Sequence, residues 1–171
     1  MKNIKVKNII LNEGLPKICV PVISVTENEI LMEFTKLNNV DIDLVEFRAD
    51  YYELVQNESK VINLLKKVRD LYKKPILFTL RTKKEGGVSD IDADYYFKLN
   101  KRVIESKLVD LIDIEFFSLS ENMEKVIHTI DLTRKNKIIA ILSYHDFLNT
   151  PSVEEIILRL NKMMEYSDIA K

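Results

Sequence analysis

Residues 44–50 have the sequence Leu44-Val45-Glu46-Phe47-Arg48-Ala49-Asp50, a short apolar run that ends in charged side chains. Later apolar runs end in the same way, and the steps from Arg48 through their end residues are 33, 34, 30 and 26 positions, to Arg81, Glu115, His145 and Lys171. Each step has the length of one strand and one helix. Parallel strands with polar tips gather the active site of a (β/α)8 barrel at one mouth. The pattern therefore predicts an α/β fold of the TIM-barrel type.

Strand and helix patterns alternate along the rest of the chain without a linker. Strands are predicted at residues 18–23, 44–50, 76–82, 109–116 and 137–145, and a sixth strand begins at 168–171. The helices between them, including 58–73 and 92–106, complete the first five βα units of a barrel. Residues 3–17 predict an N-terminal hairpin, which in a barrel would close the end opposite the active mouth.

Capping residues predict where two of the helices begin. Thr26 and Glu29 form the pattern of a capping box, in which each side chain bonds to the other residue's backbone N–H. Thr150 and Pro151 predict an N-cap and a first helical residue. The last helix then has an apolar stripe that we expect to face the core, formed by Val153, Ile156, Ile157, Leu160 and Met164.

Strand periodicity predicts which side chains face inward, because residues two apart share one face of a strand. The polar residues of each strand fall on the same face as its tip residue: Glu46 with Arg48, Thr79 with Arg81, Asp113 with Glu115, and Ser143 with His145. The apolar residues between them must then meet the helices. Burying unpaired charges costs several kcal/mol each. We therefore expect these charges to pair with one another or with a ligand.

Composition limits the kind of protein this is. A hydrophobic content of 46% over 171 residues predicts a single domain spanning residues 1–171. The net charge of −1 provides no basic face for nucleic acid. No long apolar segment or signal sequence is present, and the one cysteine suits a reducing compartment, so we expect a cytoplasmic protein without a membrane partner. Because many barrels dimerise, a homodimer is the assembly we consider.

The polar tips combine a lysine, a histidine, carboxylates and arginines, which together suit imine chemistry. Arg48 and Arg81 could lower the pKa of the Lys171 amine by like-charge repulsion, so that the amine adds to a ketone. The resulting iminium acidifies the neighbouring C–H, and His145 could take that proton. Guanidinium groups suit an anionic, hydroxylated substrate. The predicted partner is therefore a small hydroxylated keto acid, and no phosphate-binding glycine loop is present.

Other interpretations fit parts of the same pattern. Glu46, Arg48 or Glu115 alone is more often half of a structural ion pair than a catalytic group. A metal-dependent sugar isomerase could use Glu46, Asp113, Glu115 and His145 as ligands, although two arginines would then lie beside the cation. A class I aldolase shares the lysine but breaks a C–C bond. A non-catalytic half-barrel completed by a partner also fits.

Five segments, taken together, resemble one enzyme family. They are Glu46-Phe47-Arg48-Ala49-Asp50, Thr79-Leu80-Arg81-Thr82 with Lys84-Glu85-Gly86-Gly87, Ile112-Asp113-Ile114-Glu115, Ser143-Tyr144-His145-Asp146-Phe147, and Asp168-Ile169-Ala170-Lys171. In this order they resemble type I 3-dehydroquinate dehydratase, the Schiff-base enzyme of the shikimate pathway. The similarity extends over nearly the whole chain.

The resemblance implies a TIM barrel that dehydrates 3-dehydroquinate to 3-dehydroshikimate without a metal or other cofactor. It implies that Lys171 forms the imine, that His145 removes the adjacent proton and helps the hydroxyl leave, and that Glu85 assists His145. Asp113 and Glu115 would form a supporting network. Substrate would be bound by Glu46, Arg48 and Arg81.

The chain length departs from that family pattern. A (β/α)8 barrel usually needs about 250 residues, and an open arc of strands leaves two sheet edges unpaired. We therefore expect residues 1–171 to be the N-terminal two-thirds of such a barrel, with the native polypeptide continuing beyond Lys171. We also expect this stretch alone not to form a stable, active enzyme.

Overall fold

A parallel sheet preceded by a short hairpin forms the centre of the computed structural model, which describes residues 3–167 and 169–171. The hairpin is antiparallel, with strands β1 (Lys5–Val6) and β2 (Ile9–Ile10). The six parallel strands lie in chain order and are β3 (Cys19–Val22), β4 (Leu44–Arg48), β5 (Ile76–Thr79), β6 (Leu111–Glu115), β7 (Ile139–Ser143) and β8 (Ile169–Ala170). The predicted α/β class with a parallel sheet is confirmed.

A helix follows each of the first five parallel strands. These helices are α1 (Glu27–Leu37), α2 (Glu58–Leu71), α3 (Ala93–Ser106), α4 (Met123–Asn136) and α5 (Val153–Met164). The capping box before α1 is confirmed, because Thr26 Oγ1 accepts from the backbone N–H of Glu29 and Glu29 Oε2 accepts from that of Thr26. In the part of the chain that the structure describes, no helix combines the length and hydropathy needed to cross a membrane.

The two faces of the sheet differ in polarity, as strand periodicity predicted. On one face, strand residues such as Val45, Phe47, Phe78 and Ile114 pack with the buried sides of the helices in one large apolar cluster. On the other face the strands begin with a second apolar layer and end in polar groups. The second layer consists of Leu44, Leu77, Leu111 and Ile141.

The N-terminal hairpin covers the amino ends of the strands. Val6 is buried against Leu44, Leu77, Leu111 and Ile141 in the second apolar layer. Lys7, in the turn between β1 and β2, donates from Nζ to the carbonyl of Lys73, 2.7 Å away. The predicted position of the hairpin, opposite the polar tips, is confirmed. The hairpin itself therefore does not cover the polar end of the sheet.

Several predicted boundaries are wrong by one to three residues. The strands end earlier than predicted: β5 ends at Thr79 rather than residue 82, and β7 ends at Ser143 rather than residue 145. The site side chains beyond these points therefore lie on loops. The predicted sixth strand included Asp168, which lies outside the described residues, and β8 covers Ile169–Ala170. Pro21 lies on β3, an edge strand of the described sheet, where proline is tolerated.

The start and the packing of α5 also differ from the prediction. Its N-cap is Ser152, which accepts a hydrogen bond from the N–H of Glu155, so Thr150 and Pro151 lie before the helix rather than at its start. Of the residues of α5 only Met163 is buried. The stripe that was predicted to face the core is largely exposed: Val153 is 66%, Ile157 52% and Met164 60% accessible. Among the described residues, this side of α5 is therefore largely open to solvent.

Candidate active site

The carboxyl end of the sheet contains a buried arginine surrounded by carboxylates. Arg81 is 3% exposed, and its Nη2 lies 3.0 Å from Asp113 Oδ1. Its Nη1 lies 3.3 Å from Glu85 Oε2, 3.4 Å from Glu115 Oε1 and 3.0 Å from Ser143 Oγ. Burial alone would lower the pKa of this guanidinium. The three carboxylates outweigh burial and raise the pKa above its ordinary value. Arg81 therefore stays charged and organises the cluster.

Glu85 connects this cluster to His145. Its Oε2 lies 3.0 Å from His145 Nδ1 and accepts the backbone N–H of His145 at 3.1 Å. A carboxylate in this position favours the tautomer with the proton on Nδ1, which leaves Nε2 free to accept a proton. The imidazole also stacks on Phe147, with ring centroids 6.3 Å apart. The pair thus has the geometry of a histidine base held by a carboxylate.

The loop that carries Glu85 depends on two adjacent glycines. Gly86 has φ of +85°, and a Cβ there would lie 2.5 Å from the ring of Phe147. A Cβ on Gly87 would lie 2.0 Å from the carbonyl oxygen of Arg81. The positive φ at Gly86 and the backbone contact at Gly87 both require glycine, and the tight turn that they allow brings Glu85 back beside His145.

Glu115 is a second fully buried carboxylate near Arg81. Its oxygens accept from the backbone N–H of Thr82 at 2.8 Å and from the Thr82 hydroxyl at 2.6 Å. Burial, together with repulsion from Glu85, raises the pKa of Glu115 to about 7, against the hydrogen bonds from Thr82 and the charge of Arg81. A carboxyl group with this pKa can exchange a proton at neutral pH.

Asp113 links the cluster to Lys171. The Lys171 Nζ lies 3.1 Å from Asp113 Oδ2, and Ser143 Oγ donates to Asp113 Oδ1 at 2.6 Å. Burial would raise the pKa of Asp113, but the charges of Arg81 and Lys171 and the bond from Ser143 hold it below its ordinary value. The backbone N–H of Lys171 donates to Leu142 at 2.8 Å, which fixes the lysine beside the end of β7.

Glu46 and Arg48 lie at the tip of β4, on the inward face that was predicted for them. Thr79 donates its hydroxyl hydrogen to Glu46 Oε1 at 2.6 Å. Arg48 is held by Asp50, with Nε and Nη2 each 2.9 Å from one carboxylate oxygen. The guanidinium of Arg48 also lies over the ring of Tyr51, 5.1 Å from the centroid.

The structure places every predicted site residue at the carboxyl end of the sheet and adds several that sequence reasoning missed. Asp50 belongs to the first of the five family-like segments but has no predicted role, although its spacing from Arg48 is a usable signal. Thr82 and Tyr96 were not assigned a role; the buried Tyr96 hydroxyl accepts the backbone N–H of Glu115 at 3.0 Å. Nothing in the sequence pattern of α3 distinguishes Tyr96 from an ordinary core residue.

The arrangement is a poor fit to the metal-dependent interpretation. Among residues 3–167 and 169–171, no group of three or more histidine, cysteine or acidic residues is arranged to hold a metal ion. The guanidinium of Arg81 contacts both Asp113 and Glu115, two of the ligands that this interpretation requires. A cation bound by these carboxylates would lie beside a fixed positive charge.

Comparisons with known proteins identify the family. The family model described as type I 3-dehydroquinase matches residues 18–171. The 3-dehydroquinate dehydratase of Clostridium novyi (strain NT) is 42% identical over 173 residues, covering 100% of this chain and 67% of that protein. The enzyme of the same name from Clostridium botulinum (strain Eklund 17B / Type B) is 45% identical over 95% of this chain and 63% of its own length.

Solved structures agree in both fold and sequence. The type I 3-dehydroquinate dehydratase from Clostridium difficile, crystallised with covalent modified comenic acid, matches with a TM-score of 0.93 and 40% identity over 99% of this chain and 66% of that chain. The 3-dehydroquinate dehydratase from Enterococcus faecalis gives a TM-score of 0.93 at 41% identity, covering 98% of this chain and 69% of its own. The chain thus spans about two-thirds of the length of these relatives. It belongs to the type I 3-dehydroquinase family.

Proposed function

We propose that the protein dehydrates 3-dehydroquinate to 3-dehydroshikimate, a carbon–oxygen lyase reaction, through an imine on Lys171. The observation that carries the proposal is the joint placement of the Lys171 amine, 3.1 Å from Asp113, and the His145–Glu85 pair at one end of the sheet. Membership of the family and the names of its relatives support the choice of substrate.

In the first step, the neutral amine of Lys171 adds to the substrate ketone. Loss of water from the carbinolamine then gives an iminium. The carboxylate of Asp113, 3.1 Å from the Lys171 amine, is placed to transfer protons in this step. The iminium draws electrons from the neighbouring C–H bond, so that the carbon next to it becomes acidic. The covalent intermediate thus supplies the electron sink that dehydration needs.

In the second step, His145 takes the proton of that carbon and the C–H electrons move toward the iminium nitrogen to form an enamine. The enamine electrons then expel the hydroxyl group from the next carbon, which is bonded to the deprotonated carbon on the side away from the iminium. The hydroxyl group takes the proton held by His145 and leaves as water. Hydrolysis of the restored iminium releases the product and the free lysine. Glu85, which accepts from the backbone nitrogen and from Nδ1 of His145, holds the imidazole in position for both proton transfers.

We assign substrate binding to Glu46, Arg48 and Arg81. Arg48 is the most open of these cations, with 20% of its side chain exposed, and suits an anionic or hydroxyl group of the substrate. Arg81 uses Nη1 and Nη2 within the cluster, so its contribution to binding would come through its remaining N–H groups and its charge.

We further propose that the whole protein is a one-domain (β/α)8 barrel located in the cytoplasm, with a homodimer as the expected assembly. Similarity to the two family structures supports the barrel. Further strands and helices beside β8 would cover the exposed apolar side of α5. The partner of the active site is the small hydroxylated keto acid.

The test is borohydride reduction of the full-length protein with and without 3-dehydroquinate, followed by intact mass measurement. The expected result is a stable adduct that forms only with substrate, because borohydride reduces the imine to a secondary amine. The Lys171→Ala variant should form none. An adduct on both proteins would remove Lys171 from the mechanism, and the absence of 3-dehydroshikimate formation by the wild type would refute the function.

A further inference from the structure

The carboxylate of Asp50 is fully buried at the tip of β4 and has a partner for each oxygen. Its Oδ1 accepts from Arg48 Nε and its Oδ2 from Arg48 Nη2, both at 2.9 Å. Its Oδ2 also accepts the backbone N–H of Val88 at 3.3 Å. Because its side chain is 0% exposed, Asp50 offers no accessible oxygen to a ligand. Its influence on a ligand must therefore pass through its neighbours.

The guanidinium of Arg48 is restrained on two sides. Its Nε–Nη2 edge faces Asp50 in a bidentate pair, the geometry that fixes a guanidinium most strictly. One face of its plane lies over Tyr51. In the described part of the chain, no hydrogen bond engages Nη1, which leaves that nitrogen for a ligand. The direction in which Arg48 presents this group is thus set by Asp50.

Asp50 also joins two loops of the site. Besides the bond from Val88, the hydroxyl of Ser89 donates to the backbone carbonyl of Asp50 at 2.5 Å. Val88 and Ser89 follow directly after the two glycines of the loop that carries Glu85. The tip of β4 and the loop that supports His145 are therefore tied together at Asp50.

We infer that Asp50 is a positioning residue, which sets substrate affinity by orienting Arg48 and does not itself touch the substrate. This inference rests on the proposed function, in which Arg48 binds the substrate. The alternative for Asp50 is a merely structural role. In that case the buried ion pair stabilises the fold, and the orientation of Arg48 does not affect substrate binding. The two roles differ in what they predict when Arg48 is absent.

The chain contains a matched control at the opposite end of the sheet. Asp110 accepts from Arg69 Nη2 at 2.6 Å and from the backbone N–H of Ile76 at 2.9 Å, so it bonds to an arginine and a backbone amide, as Asp50 does. It lies among the amino ends of the strands, away from the proposed site. Asp110→Asn should lower the melting temperature and leave the KM for 3-dehydroquinate unchanged.

The experiment compares wild type, Asp50→Asn, Arg48→Met and the double variant in the full-length protein, with 3-dehydroquinate as substrate. Asp50→Asn should raise KM about tenfold, the usual effect of losing a hydrogen bond to a charged group, with kcat within about twofold. In the Arg48→Met background the same change should leave kcat/KM unaltered, because the group that Asp50 orients is gone.

Two results would overturn the inference. One is an unchanged KM in a folded Asp50→Asn variant; the other is an equal loss of kcat/KM in both backgrounds, as a structural role predicts. If Asp50→Asn alone does not fold, the double variant, which buries no unpaired charge, is compared with Arg48→Met, and an additional loss there contradicts the inference. A wild type without turnover of 3-dehydroquinate would refute the proposed function instead.

Discussion

Two largely buried arginines, one at each end of the sheet, have different kinds of hydrogen-bond partner. At the amino end, Arg69 donates to three backbone carbonyl groups and one carboxylate, those of Leu108, Tyr72, Lys74 and Asp110. At the carboxyl end, Arg81 contacts one hydroxyl and three carboxylates, those of Ser143, Glu85, Asp113 and Glu115. An arginine therefore links loops through their backbone carbonyl groups at one end and binds a cluster of carboxylates at the other.

This contrast indicates that the amino end of the sheet serves stability and the carboxyl end serves proton transfer. Around Arg69, neutral carbonyl groups and a single carboxylate accept from the guanidinium, and that carboxylate, Asp110, also lies 3.4 Å from Lys7 Nζ. Around Arg81, the carboxylates outnumber the cation, the pKa of Glu115 is raised to about 7, and Glu85 Oε1 is buried with no hydrogen-bond partner among the described residues. Unmatched acids of this kind are costly for a fold and useful for moving protons.

Removal of the proposed nucleophile should have the largest effect on activity. Lys171→Ala should lower kcat for 3-dehydroquinate by about 10,000-fold or more, because the imine that makes the reaction accessible no longer forms. Formation of 3-dehydroshikimate, followed by absorbance, measures it. Lys162→Ala, on the nearby helix α5, is the control and should keep normal turnover. Turnover of Lys171→Ala within tenfold of wild type would contradict the role.

Removal of the histidine base should have the next largest effect. His145→Ala should lower kcat about 1,000-fold, the usual contribution of general base catalysis, with little change in melting temperature because the ring is partly exposed. His128, exposed on α4, provides the matched control. If His128→Ala reduces kcat as much as His145→Ala, the assignment of the base is wrong.

At the amino end the expected effects are reversed. Arg69→Ala should lower the free energy of unfolding by about 2 kcal/mol, since the carbonyl groups of Leu108 and Tyr72 lose the donor that Arg69 provides and the partly buried Asp110 loses its ion pair with Arg69. Urea unfolding of the full-length protein measures this change. Its kcat and KM at a temperature where the variant is folded should equal those of wild type. A loss of activity without a loss of stability would break the contrast between the two ends.

The smallest effect concerns the pH dependence of stability. A carboxyl group whose pKa is raised in the folded state stabilises the protein less as pH rises through that pKa. With Glu115 at about 7, its unfavourable ionisation is absent near pH 4 and complete above about pH 8. Urea unfolding should therefore show that Glu115→Gln gains stability relative to wild type as pH rises. A difference that is constant with pH would show that Glu115 does not titrate in this range.

Sequence periodicity predicted the parts of the molecule that depend on local pattern. Alternation along the strands placed Arg81, Asp113 and Glu115 on one face, and the capping box at Thr26 is confirmed. Burial of charges predicted that they would pair with one another, and they do. These features follow from the chain's own repeat, so a single sequence contains the information.

Features that depend on tertiary context could not be predicted in this way. The stripe on α5 has the correct helical spacing, but its burial depends on the neighbours of the helix rather than on its own pattern, and Val153 and Ile157 are exposed. The link from Val88 to Asp50 depends on how a loop folds back across the tip of β4. Because the conformation of a loop leaves no periodic pattern in the sequence, the role of Asp50 could not be predicted from the sequence.

The central claim is that the acid-rich end of the sheet holds a lysine that becomes covalently joined to the substrate. Its most direct test is peptide mapping by tandem mass spectrometry of the full-length protein after borohydride reduction in the presence of 3-dehydroquinate. The account predicts one modified residue, Lys171. An adduct on any other lysine, or active turnover with no adduct at all, would contradict it.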